Sequence, residues 1–396
     1  MLDRVAVGEL AAKPHTALRD AEGALRYEEC LTRAGFDGPY SILYHRARPH
    51  AWVAASTEQA ALAQTDEVEQ SARAAVALVD GSALRRRHYR TSGVPAGGSL
   101  LGARVPLLEN ADVLLSVARP LVSSDKYFVN ADADELWFVR EGRGVVRSVF
   151  GDLAFGPDDY VCIPKGVLHR VELAEPVSLL LIECRGGVGL LPQARNAVGQ
   201  LRMDAPYSHR DFRRPSFVGP VDEGIREVVV QRFGRQHVYR TLDTPLDVVG
   251  WDGTVYPWAF PILAFQPRVS SVHLPPTWHG TFAARNTLIC SFVPRPLDFH
   301  PDAIPCPYPH ASVDVDEVLY YVRGQFGSRT GVEAGSLTLH PRGVPHGPHP
   351  GRYEASLGAT RTEELAVMLD CYTPLVPCAR AHTLEDARYD ASFSGG

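Results

Sequence analysis

The chain has 396 residues, a formal net charge of -6 and a sequence pI near 6.2, so it can bury a substantial core and fold as two or three domain-sized units. The charge balance gives no basic field for nucleic acid, and no apolar run of about 18 residues exists to cross a bilayer, so neither partner is expected. Seven cysteines stand singly with no C-x-x-C pair, which excludes zinc-ribbon and disulfide-scaffold classes. The first segment, MLDRVAVGELAAKPHTALRD, carries acidic residues and no apolar stretch of signal-peptide length, and a cytoplasmic location is expected.

Along the chain, a helix is plausible mainly from Ser56 to Val79, in EQAALAQTDEVEQSARAAVAL. Elsewhere 31 prolines and 34 glycines punctuate short β-branched and aromatic runs, the pattern of strands and turns. Candidate strands follow in VPLLENADVLLSVARPL, DELWFVREGRGVVRSVF, DYVCIPKG, VSLLLIEC, RVSSVHL, NTLICSFVP, EVLYYVRGQF and GSLTLHP. The expected class is all-β with few helices.

Two of these stretches repeat. ADADELWFVREGRG (Ala131 to Gly144) matches VDVDEVLYYVRGQF (Val313 to Phe326), placing Glu135 over Glu317 and Gly142 over Gly324. GPDDYVCIPKGVLH (Gly156 to His169) then parallels AGSLTLHPRGVPH (Ala334 to His346), and in each copy a proline (Pro164, Pro341) precedes the histidine by five positions. Two copies of one barrel are implied. The expected organisation is an N-terminal extension packing on the barrels over 1–100, a degenerate first barrel over 101–191, a polar connecting segment over 192–240, and a second, metal-binding barrel with a C-terminal tail over 241–396.

The chemistry concentrates in the second copy. In PYPHASVDVDEVLYYVRG a histidine precedes a carboxylate by seven positions, and GSLTLHPRGVPHGPH adds a further histidine, a grouping that resembles the cupin metal motif. His310, Glu317 and His346 would converge on the barrel interior, and two imidazoles with one carboxylate leave coordination positions open. Glu317 is preferred over Asp314 and Asp316 because it matches Glu135 in the repeat, while alternation turns Asp316 to the other face. Asp314 and Asp316 read as a solvated turn. The first copy keeps Glu135 and His169 but has Phe128 opposite His310, so it reads as a structural copy. A metal there would need Asn130, Asp132 or another residue to complete its ligands.

Other histidines flank the motif. His340 is a candidate for the substrate pocket, with a hydrogen-bonded strand histidine as the plainer alternative, and His349 follows a proline turn toward the pocket rim or solvent. His273 and His279 bracket the Pro-Pro turn of VHLPPTWHGTF beside Trp278, where an acid/base or ligand-orienting role is open to either. Tyr320, Phe326, Trp278 and His349 are the candidate substrate contacts, and Arg342 and Arg352 are candidates for binding a substrate carboxylate.

Over almost its whole length the chain resembles the homogentisate 1,2-dioxygenase family, particularly the shorter bacterial proteins that carry that name. The resemblance rests on KPHTALRDAEGALRYEECLTRAGFDGPYSILYHRARP, NADADELWFVREGRG, IPKG, LDVVGWDG, HLPPTWH, ICSFVPRPLDFHPDAIPCPYPH, DVDEVLYYVRG and GSLTLHPRGVPHGPHPG. It implies a bicupin of two jelly-roll-like β-barrels, Fe(II) held in the C-terminal barrel alone by His310, Glu317 and His346, and His340 near the substrate. The implied reaction opens the ring of 2,5-dihydroxyphenylacetate with both atoms of dioxygen, giving maleylacetoacetate. A homo-oligomer is expected. Two departures bear on the substrate. VVGWDGTVYP lacks the Asp-His-Pro histidine thought to act as acid/base in eukaryotic members, and Phe326 stands where those members have a pocket tyrosine. His273 or His279 could replace the missing imidazole. The alternatives are an iron dioxygenase of a gentisate-like acid or another phenol, a bicupin isomerase or decarboxylase using manganese or another divalent ion, and a non-catalytic small-molecule-binding bicupin.

Overall fold

The structure is a computed structural model in which residues 3–55 and 84–394 are described, so the helix expected from Ser56 to Val79 lies outside the described residues. Within them the regular backbone is mostly strand. The α-helix is the four-residue Arg352–Ala355, and the other helical pieces are short 3-10 turns. Among the described residues, short β-branched and aromatic runs cut by proline and glycine leave no room for longer helices.

Two seven-stranded sheets carry the repeat and correspond strand for strand. The first runs Trp258–Pro261, Asp159–Ile163, Asp134–Glu141, Ser178–Cys184, Val113–Ala118, Arg104–Glu109, Val376–Pro377. The second runs Arg87–Arg90, Ser336–His340, Asp316–Arg323, Leu365–Cys371, Thr287–Phe292, Gly280–Ala284, Val188–Leu190. Registers agree as well: Glu135 lies opposite Glu183 in the first sheet, and Glu317 opposite Asp370 in the second.

The outer strands are traded between the halves. Val188–Leu190, which follows the first sheet's last inner strand in sequence, caps the second sheet on Gly280–Ala284. Val376–Pro377, in the same place after the second sheet, caps the first on Arg104–Glu109. Arg87–Arg90 and Trp258–Pro261 cover the other two edges, so each of the two repeated sheets ends in strands of two to four residues. The boundaries expected from sequence shift accordingly. Within 241–396, Trp258–Pro261 belongs to the first sheet and Val248–Gly253 to a four-stranded N-terminal sheet with Val5–Gly8, Tyr40–His45 and Tyr27–Thr32. The segment 192–240 is not merely connecting, since its strands Glu227–Arg232 and Arg235–Thr241 join a third seven-stranded sheet with Tyr127–Asn130 and His169–Leu173.

The two repeated sheets pack face to face. Phe138 meets Tyr320 at 6.5 Å between ring centroids, Tyr160 meets Phe282 at 5.3 Å, and the Tyr160 hydroxyl bonds Ser291 Oγ at 3.0 Å. Each such fully buried apolar or aromatic side chain contributes roughly 1.5–3 kcal/mol. The strand Asp316–Arg323 is therefore buried on both faces, and alternation sends Tyr320 into the sheet interface while Glu317 and Leu319 line a cavity on the other side. The first unit is walled there by the third sheet. In the second unit the corresponding wall is thin, an isolated bridge between His310 and His346 and a two-residue pairing of Arg295–Pro296 with Arg361–Thr362, and the cavity lies in this loop-built side.

Candidate metal centre

His310 and His346 face each other across reciprocal backbone hydrogen bonds, each N–H donating to the other's carbonyl at 2.8 Å. That bridge brings two imidazoles separated by 36 positions together, with ring centroids 4.3 Å apart. Each Nδ1 lies 3.1 Å from a backbone carbonyl two residues upstream, Tyr308 for His310 and Val344 for His346. Donation from Nδ1 to these carbonyls fixes the tautomer and leaves both Nε2 atoms as acceptors. The Nε2 atoms stand 3.7 and 3.5 Å from the two oxygens of Glu317, and the three groups offer ligand atoms all within 4.8 Å of one another. His346 Nε2 is buried without a hydrogen-bond partner. A buried acceptor aimed at a carboxylate is costly unless a cation or donor sits between them, so the three residues fit a divalent metal.

Behind Glu317 lies a hydrogen-bond chain. His340 Nδ1 bonds Glu317 Oε1 at 2.7 Å, and its Nε2 bonds the Tyr389 hydroxyl at 3.0 Å. Burial pushes His340 down to about 3, against the pull of Glu317, so the ring is neutral, donates from Nδ1 and accepts from Tyr389. For Glu317 burial acts upward, but the three imidazoles gathered around it, His310, His340 and His346, hold its carboxyl well below the ordinary range.

A cavity of about 630 Å³ opens beside the triad, lined by His310 and Glu317 and also by His273, His279, Phe292 and Arg295. The structure thus brings both histidines of HLPPTWHGTF to the site. His273 is half-buried, with Nδ1 3.7 Å from Asp298 Oδ2 and its ring against Tyr308, which adjoins His310. Burial lowers His273, and it lowers His279 to about 3 with the help of Arg295 and His273.

Other expected contacts are placed elsewhere. His340 is fully buried behind Glu317 rather than in the pocket. Tyr320 points into the sheet interface, Phe326 packs on Tyr321 at 4.7 Å, and Trp278 is exposed beneath the Arg268 guanidinium. His349, expected at the rim or in solvent, is buried, with Nδ1 on the Thr330 amide and hydroxyl and its ring against Phe393. Asp316 is no solvated turn residue. It is buried and accepts the amides of Arg342 and Leu375, as Asp134 accepts those of Lys165 and Val188 in the first copy. Arg342 is engaged with Asp316 and the Tyr372 carbonyl, whereas Arg352 lines the cavity. Sequence reasoning missed Tyr389 and Asp370. The Asp370 carboxyl, across the strand pair from Glu317, is pushed up to about 7 by burial and by that neighbour.

The first copy gathers a different set of groups at the corresponding point. Phe128 pairs with His169 as His310 pairs with His346, and His169 Nδ1 again bonds a carbonyl two residues back, Val167. Arg104 occupies the centre. It grips Glu135 with two bonds of 2.8 and 2.9 Å, reaches Glu183 at 3.2 Å, and lies over the Phe128 ring. Asn130 and Trp137 donate to the remaining lone pairs of Glu135. Burial pushes both carboxyls up. Arg104 reverses this for Glu135, to about 2, while Glu183 stays raised.

Residues 116–262 match the family described as homogentisate 1,2-dioxygenase N-terminal. The protein named "Putative dioxygenase SSO1533" of Saccharolobus solfataricus is 31% identical over 391 residues, covering 98% of this chain and 97% of the relative. The homogentisate 1,2-dioxygenases of Rhodopseudomonas palustris (strain BisB5) and Bradyrhizobium diazoefficiens are each 26% identical, and the chain spans 63% and 61% of their lengths, respectively. Among solved structures, a cupin 2 conserved barrel protein from Leptotrichia buccalis aligns with a TM-score of 0.30 at 10% identity, covering 68% of this chain and 88% of that one. Bacillus subtilis oxalate decarboxylase aligns at 0.34 and 11% identity, covering 75% and 80%. With a relative matched end to end and the family's own N-terminal region found across the first copy, the chain belongs to the homogentisate 1,2-dioxygenase family.

Proposed function

We propose that this chain is an Fe(II)-dependent ring-cleaving dioxygenase acting on a hydroxylated aromatic acid of the 2,5-dihydroxyphenylacetate type, built as a bicupin whose second barrel alone holds the metal. The observation that carries this is the pair of tautomer-fixed imidazoles, His310 and His346, aimed with Glu317 at one point beside a 630 Å³ cavity. Two imidazoles and a carboxylate on one face suit ferrous iron and leave positions for small ligands. Iron supplies the one-electron chemistry that lets dioxygen react with an electron-rich ring.

The chain's own groups do the remainder. His340 orients Glu317 and is itself oriented by Tyr389. His273 takes the phenolic proton: burial keeps it neutral, and Asp298 at 3.7 Å stabilises the imidazolium formed. His279, lowered further and near Arg295, is the weaker base. Phe292 and Leu319 give the cavity apolar walls that exclude water from the ring.

The test is anaerobic reconstitution with Fe(II), followed by oxygen uptake with a panel of dihydroxyphenylacetates and dihydroxybenzoates. One iron per chain and one dioxygen consumed per molecule of a panel acid are expected, with both lost in His310→Ala and His346→Ala. No uptake across the panel, with anaerobic turnover by manganese-loaded protein, would replace the proposal with a non-redox reaction.

A further inference from the structure

Four arginines line the cavity: Arg295, Arg329, Arg352 and Arg361. They differ in what already occupies them. Arg361 is paired with Glu363 at 2.5 Å. Arg329 is almost fully buried and donates Nη1 to the carbonyls of Gly347 and Ser328, which ties it to the backbone beside His346. Arg352, on the four-residue helix, forms no ion pair among the described residues, but no aromatic ring lies against its guanidinium there.

Arg295 is set apart by the aromatic ring beside its guanidinium and by its strand-paired backbone. It forms no ion pair among the described residues, and of its five N–H donors only Nη1 is engaged, on the Val293 carbonyl at 3.1 Å. Its backbone is pinned by pairing with Thr362, and its guanidinium lies 5.5 Å from the Phe292 ring, which also packs on His279 at 4.8 Å. Asp298 and Glu364 lie beyond ion-pair range, and burial weakens its hold on its proton. A desolvated guanidinium with a free fork, on an aromatic shelf facing a cavity, is an incomplete ion pair.

We infer that Arg295 is the specificity-determining residue of the cavity and binds the carboxylate of the aromatic acid through its guanidinium fork. This rests on the cavity being an aromatic-acid site, as proposed above. The ring then lies against Phe292, between Arg295 and the metal-binding face, with His273 and His279 on the same wall. Arg342 has no part in it, being committed to Asp316 and a backbone carbonyl outside the cavity.

The experiment compares binding of 2,5-dihydroxyphenylacetate and its uncharged primary amide to the full chain, by anaerobic fluorescence titration with and without Fe(II). A site built around a carboxylate rejects the isosteric amide strongly. The expected preference of the parent protein for the acid is about 100-fold, falling below about 5-fold in Arg295→Gln, with Arg295→Lys keeping an intermediate preference because the charge survives and the fork does not. Iron content and melting temperature report on folding, and the lysine variant keeps the comparison informative if the glutamine variant is unstable. A full acid preference in Arg295→Gln, or its collapse instead in Arg329→Gln or Arg352→Gln, overturns the assignment. Because the readout is binding, acid preference lost with Arg295 in a protein that consumes no oxygen would uphold Arg295 and overturn the dioxygenase proposal. Arg295-independent binding in an active enzyme would do the reverse.

Discussion

Tyr389 touches none of the three proposed ligands, yet it ends the hydrogen-bond chain that sets the Glu317 carboxylate. The tail is clamped over the site by ion pairs from the strand Arg87–Arg90 and its approach: Arg86 to Asp390 at 2.7 Å, Arg87 to Glu385 at 2.8 Å and Arg90 to Asp386 at 2.6 Å. In Tyr389→Phe, His340 Nε2 loses its donor in a place water does not reach, and the imidazole is freer to rotate. Groups that orient a metal ligand typically contribute 10- to 100-fold in affinity. Competition titration should show Tyr389→Phe binding Fe(II) about 10-fold more weakly, His340→Ala more weakly still, and Glu317→Gln without stoichiometric binding. Parent-like affinity in the first two would mean that the chain behind Glu317 does not support it. Nothing in ARYDASFSGG announced this role, because the contact joins residues 49 positions apart in a tail without strand or helix periodicity. The structure places the aromatic candidates Tyr320, Phe326 and Trp278 outside the cavity lining for another reason. Residue type identifies a ring but not the face it occupies, and Tyr320 sits one position out of phase with Glu317.

At the scale of elements, the repeat was the legible feature: it picked out Glu317 and His346, while His310 came from its spacing to Glu317 and from the contrast with Phe128 in the first copy. The pairings Glu135 with Glu183 and Glu317 with Asp370 confirm its register. What the repeat could not reveal was Arg104, which lies outside both repeated motifs and reaches Glu135 and Glu183 from the strand Arg104–Glu109 of the same sheet. Its guanidinium is a cation held by Glu135 and Glu183 at the point that corresponds to the triad. Removing one partner of a buried ion pair leaves an uncompensated charge, at a cost of about 3–5 kcal/mol. Arg104→Ala should therefore lower the urea midpoint markedly. Adding Phe128→His supplies the missing imidazole opposite His169, and the double variant should take up a second divalent ion per chain and regain part of the lost stability when metal is present. Metal content that stays at the parent value in the double variant would show that the first copy has lost more than one ligand and a place for the ion.

For the whole molecule, the exchange of edge strands matters more than the count of barrels. Sequence boundaries drawn between the copies missed it, since Val188–Leu190 and Val376–Pro377 are three- and two-residue strands with no periodicity to read, and their partners are set by tertiary packing. Each repeated sheet is finished by a strand that follows the other, and Phe138, Tyr160, Phe282 and Tyr320 fill the space between them. Neither sheet can be exposed without uncovering the aromatic face of its neighbour, so the two should unfold together even though chains of this length often unfold in steps. Buried cysteines distribute the probe: Cys162 and Cys184 lie in the first sheet, Cys290 and Cys371 in the second, and all four are free thiols. Pulse labelling with an alkylating reagent across a urea series, read peptide by peptide by mass spectrometry, should give one midpoint for all four. The exposed Cys30 of the N-terminal sheet should label at every concentration and calibrate the pulse. Two separated midpoints, one for Cys162 and Cys184 and another for Cys290 and Cys371, would show that the halves are independent and that the traded strands only decorate their edges.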